Sequence, residues 1–265
     1  MIPLHRFRSF LCLALGAFLL SACSQKDDDP SLVVGMELSY PPFEMSDENN
    51  QPSGVSVDLA KALGDYLGRP VRIENIAFTG LIPALKTGKV DLVISSMTAT
   101  DEREKSIDFS DPYLKTGLCL LVAKDSPIHS IEDADQEGLS IAVKQGTTGL
   151  LYAMERIKHA RVLTLEKESS AVLEVAQGKA DAFIYDQMSI FKNWQRYSDT
   201  TRPLLNPFQK ESWVVGLQKG DTELREQVNA FLKDFREKGG FEKLGNKYLS
   251  EQKKAFQELG YPFFF

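Results

Sequence analysis

Cysteine and histidine are nearly absent from this chain, and it has no second long apolar run. Of its three cysteines, Cys12 and Cys23 lie in an N-terminal export segment, which leaves Cys119 alone. One remaining cysteine excludes an intramolecular disulfide and a cysteine metal site. Its position inside the apolar run Leu118 to Val122 predicts a buried strand thiol, not a nucleophile. The three histidines are His5, His129 and His159. His5 leaves with the export segment, and the other two stand in polar loop or helix-end contexts. Neither a histidine-dependent triad nor a metal site is expected. There is no Gly-x-x-x-x-Gly-Lys-Ser/Thr loop to cradle a phosphate and no Gly-x-Ser-x-Gly elbow to present a serine. No cofactor is implied. The formal net charge is −6, and loss of Arg6 and Arg8 with the leader takes it to −8 (−6 − 2). An acidic chain argues against nucleic acid as a partner and mildly favours a cationic or zwitterionic ligand.

The N-terminus reads as a targeting segment. His5, Arg6 and Arg8 form a basic region, and the apolar run from Phe10 to Leu20 is too short to span a bilayer. It ends in Leu20-Ser21-Ala22-Cys23, which resembles the bacterial lipobox. This implies a lipoprotein signal peptide over 1–22, acylation (palmitate) at Cys23, and a polar tether over 23–31. An extracytoplasmic protein is expected, on the periplasmic or cell-surface face and held to a bacterial membrane through that lipid.

Two stretches ninety residues apart spell one unit. Gly88-Lys89-Val90-Asp91-Leu92-Val93-Ile94 is answered by Gly178-Lys179-Ala180-Asp181-Ala182-Phe183-Ile184. In each, a periodic helix stops at glycine and a short apolar run follows as a buried parallel strand. Each strand then gives way to polar residues, and ligands of open α/β sheets bind beyond the carboxyl ends of strands. The expectation is an α/β fold of two similar lobes, each a sheet flanked by helices, facing one another across a cleft. The boundaries expected are 32–121 for the first part of lobe one, 122–214 for lobe two, and 215–265 for the return to lobe one and the C-terminal helices. Two hinge crossings follow, near Val122 to Lys124 and near Val214 to Gly216.

Six segments occur in an order that resembles the polar amino-acid family of bacterial periplasmic solute-binding proteins, the receptors of ABC importers. They are Tyr40-Pro41-Pro42-Phe43-Glu44, Gly54 to Leu59, Ala77 to Leu85, Ser95 to Arg103, Gln145 to Gly149 and Val215 to Asp221. The match runs over Leu32 to Leu249. Two departures stand out: Val55-Ser56 replaces an aromatic and an aspartate, and Trp213 occupies a place where smaller residues are common, which would narrow the cleft.

The resemblance implies a role for each site residue. Arg103 clamps the ligand carboxylate, since a guanidinium offers two parallel N–H bonds. Its place in the first turn of a helix capped by Thr100 adds to that expectation. Ser95, Ser96 and Thr98 bind from lobe one and Thr148 from lobe two. Asp186 accepts the α-ammonium, with a helix N-cap role as the other reading. Tyr40 and Phe78 sandwich the ligand side chain. Glu37 faces its distal end, which favours arginine or another basic amino acid, with glutamine or another neutral polar amino acid as the alternative. Glu44 is expected to be solvated. The partners implied are a free amino acid and an ABC importer permease reached by hinge closure, the receptor itself being a monomer. A cyclohexadienyl dehydratase, with Glu37 as its general acid, is the enzymatic rival on the same fold.

Overall fold

The structure is a computed structural model and describes residues 30–263. The duplicated sequence unit builds the same local frame twice. Phe78–Lys86 and Glu168–Ala176 are helices, and the glycines just past them, Gly88 and Gly178, have φ of 71° and 69°. Only glycine adopts that left-handed conformation without a side-chain clash. The aspartate three residues on then does one job in both copies. Asp91 Oδ2 accepts the N–H of Val33 at 2.8 Å, and Asp181 Oδ2 accepts the N–H of Ser140 at 2.7 Å. Each carboxylate thus satisfies an amide at the start of the neighbouring strand.

The first lobe contains β1 (Leu32–Met36), the small hairpin strands β2 (Ser39–Tyr40), β3 (Glu44–Ser46) and β4 (Pro52–Ser53), and α1 (Val55–Leu67). It continues with β5 (Val71–Asn75), α2 (Phe78–Lys86), β6 (Leu92–Val93), the single turn α3 (Asp101–Glu104) and β7 (Ile107–Phe109). The second holds β8 (Leu114–Ala123), α4 (Ile131–Ala134), β9 (Ser140–Lys144), α5 (Thr148–Arg156) and β10 (Arg161–Leu165). It closes with α6 (Glu168–Ala176), β11 (Ala182–Asp186), α7 (Gln187–Arg196) and β12 (Thr201–Trp213). The chain returns through β13 (Gly216–Gln218) to α8 (Thr222–Glu237), α9 (Gly240–Tyr248) and α10 (Ser250–Glu258).

The sheets run β5-β1-β6-β13-β7 and β10-β9-β11-β8-β12. In both, the repeated strand pairs in parallel with the opening strand of its lobe: β6 with β1, and β11 with β9. The sheets carry continuous apolar runs, as strands covered on both faces require. β1 is buried at all five positions and so is β9.

The first crossing falls earlier than the sequence implied. β8 pairs with β11 and β12, so the apolar run around Cys119 belongs wholly to the second sheet. The chain changes lobes between Phe109 and Leu114, not near Val122. Periodicity identifies a strand but not its sheet. The return passes between Trp213 and Gly216. Ser110 and Tyr113 tie the two crossings together, their N–H groups donating to Val215 O and Trp213 O at 3.0 Å each.

Among the elements that escaped the sequence reading are the thirteen-residue β12 and the helix α10. Pro203 and Pro207 mask the alternation of β12, whose pairing with β8 shifts register between Leu204 and Gln209. α8 and α9 return to α1, where Asp58 accepts from Lys247 Nζ at 2.7 Å and Tyr248 Oη at 2.8 Å. On α10, Phe256 is fully buried and meets Phe191 of α7 edge to face at 4.8 Å. Tyr261 and Phe263 pack on the same ring. Among the described residues no helix is long and apolar enough to cross a membrane. Cys23 and the leader lie outside the described residues.

Candidate functional site

A cleft between the lobes encloses a cavity of about 40 Å³. Glu37, Tyr40, Phe78, Ser95, Ser96, Thr98, Arg103, Thr148 and Asp186, the nine expected site residues, all line it. A second cavity of about 450 Å³ adjoins it and shares Glu37, Tyr40 and Phe78, with Lys144 and Glu168 on the opposite wall. These residues divide an inner chamber from a wider outer one.

Arg103 is buried, and its guanidinium spans the lobes. Nη1 donates to Thr98 O at 2.5 Å and Nη2 to Gly146 O at 3.0 Å, while Cζ lies 5.4 Å from the Phe78 ring centre. Desolvation lowers its pKa to about 10, with the charge of Glu211 opposing the shift. Thr100 caps α3 by accepting the N–H of Arg103, as expected. That helix is one turn long, so the macrodipole expected to assist anion binding contributes little.

Asp186 ends β11 and caps α7. Its Oδ1 accepts the amides of Met188 at 3.0 Å and Ser189 at 3.1 Å, and the Tyr40 hydroxyl at 2.6 Å. The two readings of this residue are therefore compatible: Oδ1 serves the cap, and Oδ2 takes none of those bonds. Burial pushes its pKa up to about 7; the Tyr40 bond opposes the shift and Glu168 adds to it. A buried carboxyl group in that state is suited to an arriving ammonium, which restores its charge by pairing.

Tyr40 stacks on Phe43 at 5.4 Å and meets the edge of Trp213 at 6.0 Å. Trp213 lines the cavity. Ser95 Oγ accepts the N–H of Glu37 at 3.0 Å. Ser96 carries a φ of 49°, which a non-glycine residue holds only under constraint. Its hydroxyl donates to Glu44 at 3.1 Å.

Glu44 is not solvated. It is 1% exposed and also accepts the Ser56 hydroxyl at 2.6 Å, so one of the two sequence departures serves this carboxyl group. Desolvation raises its pKa from 4.5 to about 8, against the pull of both hydroxyls. A raised folded-state pKa gives stability that is complete below the unfolded value and is lost as pH rises through the folded one. For Glu44 and Asp186 together the window runs from about pH 4 to about pH 8. The melting temperature, measured without added ligand, should therefore fall between about pH 4 and about pH 8, with Glu44 contributing on the order of 5 kcal/mol. Glu44→Gln should flatten that fall. An unchanged slope in the variant would contradict the assignment.

Three residues of the site were not foreseen. Lys144 reaches from the second lobe to form an ion pair with Glu37, with Lys144 5% and Glu37 19% side-chain exposed. Glu37 also accepts the N–H of Phe78 at 3.3 Å, and Lys144 Nζ lies 5.4 Å from the Phe78 ring centre. The expectation of an unpaired acid awaiting a cationic side chain is thus corrected. Glu211 is the second and Glu44 the third. A signal for Glu211 existed: residues two apart on a strand share a face, which places it beside the noted Trp213.

A family model described as bacterial extracellular solute-binding proteins, family 3, matches residues 32–251. The L-arginine-binding protein of Pseudomonas aeruginosa is 29% identical over 247 residues, covering 89% of this chain and 95% of that protein. The ABC transporter glutamine-binding protein GlnH of Bacillus subtilis is 29% identical over 236 residues, covering 85% and 83%. Among solved structures, the ancestral amino acid-binding protein AncCDT-1, a precursor of cyclohexadienyl dehydratase, is 38% identical with a TM-score of 0.77, covering 83% of this chain and 96% of that one.

Proposed function

The chain belongs to the family 3 bacterial extracellular solute-binding proteins, and from that premise we propose that it is an extracytoplasmic receptor for a free amino acid with a polar side chain, which it delivers to an ABC importer permease. The observation that carries this is the convergence on a single cavity of one buried guanidinium, flat aromatics from both lobes and, among its three buried carboxyl groups, Asp186 with one oxygen outside the cap. A zwitterion needs that set. Arg103 with Thr148 takes the carboxylate, Asp186 takes the ammonium, and Tyr40 and Phe78 flank the side chain. The ligand touches both lobes and so favours their closed arrangement by its differential contacts. Export and anchoring through lipid on Cys23 complete the proposal.

The side chain points past Tyr40 and Phe78 toward Glu37 and Lys144. An acceptor and a donor side by side complement a carboxamide, which both donates and accepts. A guanidinium carries donors alone and would meet the Lys144 ammonium at close range. Glutamine therefore stands ahead of arginine in this site. The second reading, arginine, is supported by the acidic lining, by the flat ring of Phe78 and by relatives named for arginine. Glu37 is already engaged by Lys144 and by the N–H of Phe78, and the relatives just named are binding proteins. Receptor, not dehydratase, is the reading supported.

A thermal-shift screen of the purified protein against the twenty amino acids, ornithine, citrulline and prephenate tests the proposal. Glutamine should give the largest rise, with arginine next. A rise with prephenate and none with any amino acid would overturn it.

A further inference from the structure

Glu211 stands where the proposed ligand carboxylate would sit. Its Oε2 accepts the Thr98 hydroxyl at 3.1 Å from the first lobe and the Thr148 hydroxyl at 3.0 Å from the second. Its Oε1 accepts Gln209 Nε2 at 3.0 Å. The residue is 8% exposed, and its charge opposes the effect of desolvation on Arg103. Two hydroxyls and a guanidinium from opposite lobes are the donors that an incoming carboxylate requires. The chain already supplies a carboxylate to both hydroxyls, and its charge acts on the guanidinium without a direct bond.

We propose that Glu211 competes with the ligand carboxylate for this seat and thereby sets the head-group specificity of the cleft. The inference rests on the amino-acid reading of the site given above. Two carboxylates cannot share one set of donors in a desolvated chamber without strong repulsion. A free amino acid binds when Glu211 leaves. A ligand with a neutral carboxamide head, by contrast, meets no like charge and can bind beside it.

The structure also provides a place for Glu211 to go. It forms part of the wall between the inner chamber and a separate cavity of about 510 Å³, lined on the far side by Lys115, Thr116 and Lys210. Both lysines are exposed. Thr116 is the ladder partner of Glu211 across β8 and β12, and its hydroxyl is buried with no hydrogen-bond partner. Rotation of the Glu211 side chain outward exchanges Thr98 and Thr148 for this hydroxyl, which lies on the same face of the strand pair. A carboxylate that moves this way is never buried unpaired.

Calorimetric titration of wild type, Glu211→Gln and Glu211→Ala with L-glutamine, L-arginine and L-argininamide tests the proposal. The glutamine variant removes the charge but keeps an acceptor for both hydroxyls, so its fold is preserved, whereas the alanine variant vacates the seat. Both should bind the free amino acids at least tenfold more tightly than wild type, with argininamide changing less than threefold. No gain in either variant, with wild type binding normally, overturns the role of Glu211 alone. An equal gain for argininamide also overturns it, because the head-group charge would then not matter. If none of the three proteins binds a free amino acid, the amino-acid reading fails and this inference fails with it.

Discussion

Arg103→Ala should weaken binding of any free amino acid by about 2–5 kcal/mol, roughly thirty- to several-thousand-fold. A guanidinium has five donors, and Thr98 O and Gly146 O occupy two of them. The rest are available to a carboxylate in a buried chamber where charge-assisted bonds are at their strongest. The substitution also removes a bond between the lobes, because Gly146 belongs to the second and Arg103 to the first. A modest loss of thermal stability should accompany the loss of affinity. Arg103→Lys keeps the charge without the planar fork and should recover only part of the binding. Titrations showing alanine-variant affinity within threefold of wild type would contradict the clamp.

Lys144→Ala should reverse the order of the two side-chain classes. With the ammonium gone, Glu37 becomes the unpaired acid that a guanidinium can satisfy, and arginine should gain about 1.5–3 kcal/mol, the scale of a hydrogen bond to a charged group. Glutamine loses the donor to its amide oxygen and should weaken by about 0.5–1.5 kcal/mol. Relative affinity for arginine over glutamine should therefore rise by roughly thirtyfold or more. Competitive titration of wild type and variant with both amino acids reads this directly. An unchanged ratio would show that the Glu37–Lys144 pair does not face the ligand side chain.

What the sequence made legible was local. Gly88 and Gly178, the aspartates that follow them, and the Thr100 cap act within a few residues or through a repeated frame, and periodicity reports such things. The end of β11 and the start of α7 were legible at Asp186, because an apolar run ending in a capping aspartate leaves little choice of boundary. The unforeseen parts are long-range charge pairings. Lys144 meets Glu37 across 107 positions, and Glu211 meets Thr98 across 113. Nothing in either segment names its partner. Glu44 looked like a solvated charge beside a turn, and only packing shows that Ser56 and Ser96 satisfy it. Register across β8 and β12 places Glu211 opposite Thr116, and the two prolines of β12 conceal that pairing from any pattern of alternation.

The orientation of the bound amino acid is the central claim, and a crystal structure of the complex with glutamine tests it most directly. The α-carboxylate should lie about 2.7–3.2 Å from the Arg103 guanidinium and the Thr148 hydroxyl, with the ammonium at similar distance from Asp186 Oδ2. The side-chain amide should bridge Glu37 and Lys144, and the Glu211 carboxylate should have turned toward Thr116. A ligand bound the other way round, with its ammonium on Glu211 and its carboxylate away from Arg103, would contradict the account.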